Sequence, residues 1–179
     1  MTTHDETAAA DPMPILVAPQ AILRQKARLV RPEDTAILRD ALPRMFAAMY
    51  QAPGIGLAAP QVGLGLRFAI VDLGEEDQRR PLVLVNPEIT AESETLAARE
   101  EGCLSLPNQY AEVVRPEQVR VRYRTLEGAE QELDADGLLA TCIQHEIDHL
   151  DGILFVDHLS ALKRNMIMRR LAKEQRQKR

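Results

Sequence analysis

Only two of the 179 residues are cysteine, too few for the disulfide framework by which small secreted domains compensate for a thin core. No apolar run approaches the ~20 residues that a membrane span needs. The opening residues, MTTHDETAAADPMP, have neither the basic nor the apolar stretch of a secretory signal. These absences predict a cytoplasmic protein with no membrane partner. Internal repeats and linker-like stretches are missing too, which leaves one domain as the expectation. What is present suits a globular chain: 45% apolar and 27% charged residues exclude disorder as the main state. At 20.0 kDa, folding buries about 70% of the surface that the unfolded chain exposes, enough for a core without staples.

The first 13 residues are small and polar and are expected to form a disordered leader, with the domain spanning 14–179. Between Asp34 and Gln51, Leu38, Leu42, Met45 and Met49 recur at helical spacing. Pro43 interrupts the stripe, predicting either a kink or a second helix starting there. The stretch from Gly54 to Gly63 is turn-rich and reads as irregular. Strands are expected at 67–73, 82–86 and 118–124, with weaker candidates at 111–114 and 130–133. A helix is expected over 137–150, with Asp136 as N-cap and Gly152 as terminator, and a last helix from Ser160, with Leu162, Met166 and Leu171 packed against the body and Lys163, Arg164, Arg170 and Lys173 facing outward. Helix, several strands, helix, helix is an α+β pattern rather than an alternating one.

The net charge of −5 is unevenly spread: residues 160–179 carry +7, with Glu174 the one acid, leaving −12 on the rest. A basic tail on an acidic body predicts either a solvated helix face or a polyanionic partner for the tail.

The most informative five residues are His145-Glu-Ile-Asp-His149. On a helix, positions i and i+4 share a face about 6 Å apart along the axis, so two imidazoles can converge on one ion. Glu146 then points to the flank, beside a water that the ion would polarise. A catalytic site of this kind wants a third protein ligand and one open position. An extended zinc-protease motif would place a His where this chain has Phe155. Glu174 could serve a protease-like site but lies in the basic terminus. Cys142 is too far along the same helix, since 142 to 149 spans about 10 Å. Cys103, in Glu100-Glu-Gly-Cys-Leu-Ser-Leu-Pro107, is the better candidate, because a thiolate binds borderline-soft divalent ions well.

Gly54-Ile-Gly-Leu-Ala-Ala59 fits a dinucleotide fingerprint. It follows a helical pattern instead of a strand and leaves no room for the phosphate-binding helix, so a nucleotide site is excluded. What remains is a backbone-rich loop with one polar side chain, Gln61, able to donate a hydrogen bond. Three readings stand on these residues: a Cys/His/His metallohydrolase, a small metalloprotease using Glu174, and an RNA-binding module with a structural HExxH.

Three segments, Gly54-Ile-Gly-Leu-Ala-Ala-Pro-Gln61, Glu101-Gly-Cys-Leu-Ser105 and Gln144-His-Glu-Ile-Asp-His-Leu-Asp-Gly152, together resemble the signature motifs of the bacterial peptide deformylases. That resemblance implies mixed or antiparallel sheets packed around a central metal-binding helix, with a C-terminal helix. It implies removal of the N-formyl group from nascent chains beginning with formyl-methionine, releasing formate. It makes Cys103, His145 and His149 ligands of one divalent ion, Fe²⁺ in most relatives, with Zn²⁺, Ni²⁺ or Co²⁺ also accommodated. Glu146 becomes the general acid/base, and Gln61 with the backbone N–H of Leu104 the oxyanion donors. Ile55, Gly56, Gly102 and Cys142 would hold the peptide, and Asp148 with Arg115 would brace the site. The C-terminal helix would dock on the ribosome near the exit tunnel. The chain departs from the usual pattern at Thr141, commonly a larger aliphatic residue, at Tyr110, often Arg, and at Pro43.

Overall fold

A stripe of large apolar side chains organises the N-terminal part of the molecule. Leu38, Leu42, Met45, Phe46 and Met49 are buried along one helix, α1 (Thr35–Gln51). Pro43 lies inside α1, which runs on unbroken although proline removes one backbone bond of the preceding turn. The stripe explains this: Leu38 and Leu42 before the proline and Met45 and Met49 after it all belong to one buried cluster with Leu57, Phe68 and Ile70. The structure, a computed structural model, describes residues 10–178. Most of the expected disordered leader therefore lies outside the described residues, while Met13 donates its N–H to the Arg44 carbonyl and packs on the α1 cluster.

Seven strands follow: β1 (Gly56–Ala58), β2 (Phe68–Val71), β3 (Leu82–Glu92), β4 (Leu96–Cys103), β5 (Leu106–Pro116), β6 (Gln118–Arg124) and β7 (Glu130–Asp136). They form a five-stranded sheet in the order β1-β2-β3-β6-β7 and a separate β4–β5 pair, every pairing being antiparallel. The glycine-rich loop thus contains a short strand that its irregular sequence concealed. In β6 the alternation is simple: Val119 and Val121 face the core, while Arg120, Arg122 and Arg124 lie opposite Asp134, Glu132 and Glu130 of β7. Opposite charges across an antiparallel pair fix register at a few tenths of a kcal/mol to ~1 kcal/mol each.

Two helices complete the α+β fold, α2 (Gly137–Leu150) and α3 (Ala161–Gln177). α2 buries Ala140, Cys142, Ile143 and Ile147 against Val71, Leu84, Val119 and Val121 of the large sheet. Asp136 takes the expected N-cap position, in the extended conformation usual there, but its side chain makes no cap bond. Gly152 does end the helix region as expected. Its φ is 76°, and a Cβ there would meet the Arg24 carbonyl oxygen at 2.6 Å, so no other residue fits. No helix among the described residues is long and apolar enough to cross a membrane.

α3 corrects the expected packing of Leu162 and Met166 against the body. Leu162 and Met166 remain 72% and 50% exposed; Leu171 is buried as expected, but with Ile167 as its neighbour, against Leu106, Val113, Leu154 and Phe155. Arg164, Met168 and Glu174 flank that stripe as partly buried residues, at the i, i+3, i+4 and i+7 spacing of one helix face. Leu171 pairs with Ile167 four residues back, and cannot share a face with Leu162 and Met166.

Candidate metal centre and its cleft

β4 and α2 bring the chemistry together. Period-2 alternation places Glu101 and Cys103 on one face of β4, and period-3.6 places His145 and His149 on one face of α2. Cys103 Sγ lies 3.2 Å from His149 Nε2, and donor atoms of Cys103, His145 and His149 all fall within 4.8 Å of one another. Among the described residues this is the one such group of potential metal donors. Cys142 is outside it, and Glu174 instead accepts from Gln109 Nε2 at 3.0 Å, which removes the protease-like ligand set.

One of the donors is held from behind. His145 Nδ1 lies 2.9 Å from Glu101 Oε1; a carboxylate only accepts, so Nδ1 carries a proton there and Nε2 is the nitrogen left to meet a metal. Arg115 grips Glu101 through Nε at 2.7 Å and Nη2 at 2.9 Å and reaches Asp148 with Nη1 at 2.8 Å. His158 Nε2 meets the same Asp148 oxygen at 2.8 Å. The expected Asp148–Arg115 pair is therefore present, and Glu101 is the member that the sequence reading left without a role. Its place beside Cys103 on one strand face follows only once residues 96–103 are seen to form β4.

The electrostatics follow from burial. Burial alone would raise the Glu101 carboxyl, but the bonds from His145 and Arg115 outweigh it and bring the pKa down to about 2. Burial holds His149 well below the usual imidazole range, with the His145 and Arg115 charges adding to the effect, so its ring is neutral and free to ligate. Burial pushes Glu146 up to about 7; the neighbouring His145 pulls it down and Glu101 pushes it up. Burial likewise raises the Cys142 thiol well above its ordinary value, which leaves it inert.

Gln61 is fixed in its orientation. Its Oε1 accepts from the Ala58 N–H at 2.9 Å, so its amide nitrogen faces Ser105 Oγ at 3.1 Å and Cys103 Sγ at 3.6 Å. A cavity of about 650 Å³ opens over this corner. Ile55, Gly56, Gly102 and Cys142 all line it, and so do Gln61, Leu104, His145, Glu146 and Tyr110. A Cβ on Gly56 would come within 2.9 Å of Cys142 Sγ and 3.0 Å of Glu146, so the β1 backbone approaches α2 as closely as it does only because that residue is glycine. A second depression of about 460 Å³, between β3, β6 and β7, includes none of these residues.

The donor set fits a divalent ion: one thiol sulfur and two imidazoles, converging at the base of a cleft, with room for a further ligand. Glu146 Oε2 is buried and has no hydrogen-bond partner within the protein, as expected of a carboxylate whose partner is a bound group.

Comparison with known proteins agrees with this geometry. Residues 12–165 match the family described as polypeptide deformylase. A peptide deformylase of Agrobacterium fabrum is 47% identical over 166 residues, covering 92% of this chain and 97% of the relative. One from Mesorhizobium japonicum is 51% identical over 161 residues, covering 89% and 91%. Among solved structures, a peptide deformylase from Legionella pneumophila superposes with a TM-score of 0.86 at 44% identity, covering 93% of this chain and 97% of that one. Another, from Synechococcus elongatus in complex with actinonin, gives 0.84 at 45% identity, covering 90% and 89%. A thiol and two imidazoles set on one strand end and one helix face, within a chain matched over nearly all its length, place this protein in the polypeptide deformylase family.

Proposed function

We infer that this enzyme removes the N-formyl group from newly made chains beginning with formyl-methionine, releasing formate, and that Cys103, His145 and His149 hold its metal. The observation that carries the reading is the convergence of those three donors beneath a cleft, with Glu146 buried beside them. A divalent ion in that set, when bound, acidifies water and polarises the formyl carbonyl. Fe²⁺, the usual metal of the family that the motifs resemble, is proposed as the working metal, and Zn²⁺, Ni²⁺ and Co²⁺ are further ions that a thiolate and two imidazoles accept.

The protein's own groups do the rest. Glu146 takes a proton from the attacking water and returns it to the leaving amine nitrogen. Gln61 Nε2, aimed by the Ala58 N–H, and the Leu104 N–H donate to the oxygen that gains charge as the formyl carbon becomes tetrahedral. The peptide lies extended along the backbone of Ile55, Gly56 and Gly102 and pairs as an added strand, its first side chain reaching toward Cys142. Asp148, Arg115 and Glu101 act through His145 by fixing its ring. The setting is the cytoplasm, and the basic outer face of α3 meets ribosomal RNA phosphates near the tunnel exit.

An anaerobic assay of formate release from a formyl-Met tripeptide, with metal analysis of the same sample, tests the reading. Turnover in proportion to bound metal supports it. A metal-loaded protein that leaves the formyl group intact overturns it.

A further inference from the structure

One face of α2 lines the cleft, with Leu138, Thr141, Cys142, His145 and Glu146 spaced i, i+3, i+4, i+7 and i+8. Thr141 stands one helical turn, about 6 Å, before His145 and is only 6% exposed. It brings a hydroxyl into a wall otherwise furnished there by Leu138 and Cys142. Its Oγ1 accepts from Arg99 Nη1 at 3.4 Å, and Arg99 is itself clamped on Glu117 by two bonds of 2.9 and 3.2 Å. A guanidinium only donates, whereas a hydroxyl has one proton to give. Arg99 therefore occupies a lone pair of Thr141 and leaves its proton over. Among the described residues no acceptor takes that proton.

We infer that Thr141 fits the pocket to a first side chain bearing a hydrogen-bond acceptor, so that the enzyme also deformylates chains beginning with formyl-methionine sulfoxide. The inference rests on the deformylase reading above. Oxidation of methionine adds one polar oxygen to a flexible side chain without lengthening it. In a wholly apolar pocket that oxygen would lose water and gain nothing; here the Thr141 hydroxyl replaces the lost bond. Arg99 acts as a positioning residue, turning the Thr141 proton away from its own charge and toward the cleft. The reaction is unchanged in its atoms. Water oxygen bonds to the formyl carbon, the carbon–nitrogen bond breaks, one water proton goes to the amine, formate leaves, and the sulfoxide is untouched.

The test uses the metal-loaded full chain and two substrates, formyl-Met-Ala-Ser and its sulfoxide. The quantity read is the ratio of their kcat/KM values, together with calorimetric Kd values for the two deformylated products. Thr141→Val keeps shape and loses the hydroxyl, and should lower the sulfoxide-to-thioether ratio about tenfold, the effect of leaving one buried polar atom unpaired. Thr141→Ser should keep the ratio, and Thr141→Ala serves if the valine variant is not recovered folded. Product affinities should move in the same sense. An unchanged ratio in the variants lacking the hydroxyl overturns the inference. So does a wild-type enzyme that hydrolyses formyl-Met-Ala-Ser but not its sulfoxide, while the deformylase reading survives. Failure on both substrates would instead bring down that reading, and the inference with it.

Discussion

Cys103 and Glu146 belong to one site and should fail in different ways when removed. Glu146 is 2% exposed, one of its oxygens has no partner in the protein, and it contributes no atom to the donor cluster. Glu146→Ala should therefore retain metal at wild-type stoichiometry and lose turnover by at least about a hundredfold, the scale of general acid–base catalysis. Elemental analysis beside a formate assay checks both, and a loss under about tenfold removes Glu146 from proton transfer. Cys103→Ala should act earlier. Its sulfur is one of three donors, so metal should leave on dialysis against a chelator that spares the wild type, and full occupancy would refute the assignment. Much of this pair was legible in the sequence, because HExxH spacing encodes its own geometry. Glu101 was not. Its partner His145 is 44 residues away, and only the docking of β4 on α2 makes them neighbours.

At the scale of elements, the sequence was most readable where one face is apolar and the other charged. β6 and α2 lie where their alternation and helical period put them. β4 was missed, since Leu96-Ala-Ala-Arg-Glu-Glu-Gly-Cys103 has no apolar alternation. Its pairing with β5 along Leu96–Gly102 supplies the order that its side chains do not. α3 was found but turned the wrong way, because Leu162 and Met166 are as apolar as the residues that are buried. The segment before α1 offers a test of a local ion pair. Asp34 accepts from Arg28 Nη1 and Nη2 at 2.9 and 2.8 Å and from the Arg31 N–H at 2.8 Å. The Arg28 bonds, with the Arg31 N–H second, hold its carboxyl down at about 2, against an ordinary 3.8. A lowered folded-state pKa gives stability that is complete above the ordinary value and disappears as pH falls through the lowered one. Asp34→Asn should thus melt below the wild type at pH 7, and the difference in Tm should close between about pH 4 and pH 2. A difference that stayed constant down to pH 2 would show that the carboxylate charge is not what matters.

For the whole molecule, the uneven charge acquires a position. The body carries −12 and residues 160–179 carry +7, and the fold turns most of those bases outward: Lys163, Arg169, Arg170 and Lys173 are exposed on α3. Cutting the helix away would be a poor test of what they do. Ile167 and Leu171 fill a buried cluster that also touches Cys103, and Glu174 bonds to the fully buried Gln109, so truncation would expose core beside the metal centre. Charge reversal avoids this. Arg170→Glu with Lys173→Glu changes two exposed side chains and should leave Tm and tripeptide turnover near wild type, since surface substitutions of this kind shift stability by about 0.5 kcal/mol or less. Binding to a phosphate-rich partner releases counterions in proportion to the phosphates neutralised, so its affinity falls steeply with salt. In co-sedimentation with ribosomes, the double variant should bind more weakly than wild type at low salt and show a shallower dependence of affinity on salt concentration. Wild-type binding with an unchanged slope would return these bases to the role of a solvated helix face, and the cleft would then meet its nascent chains without help from α3.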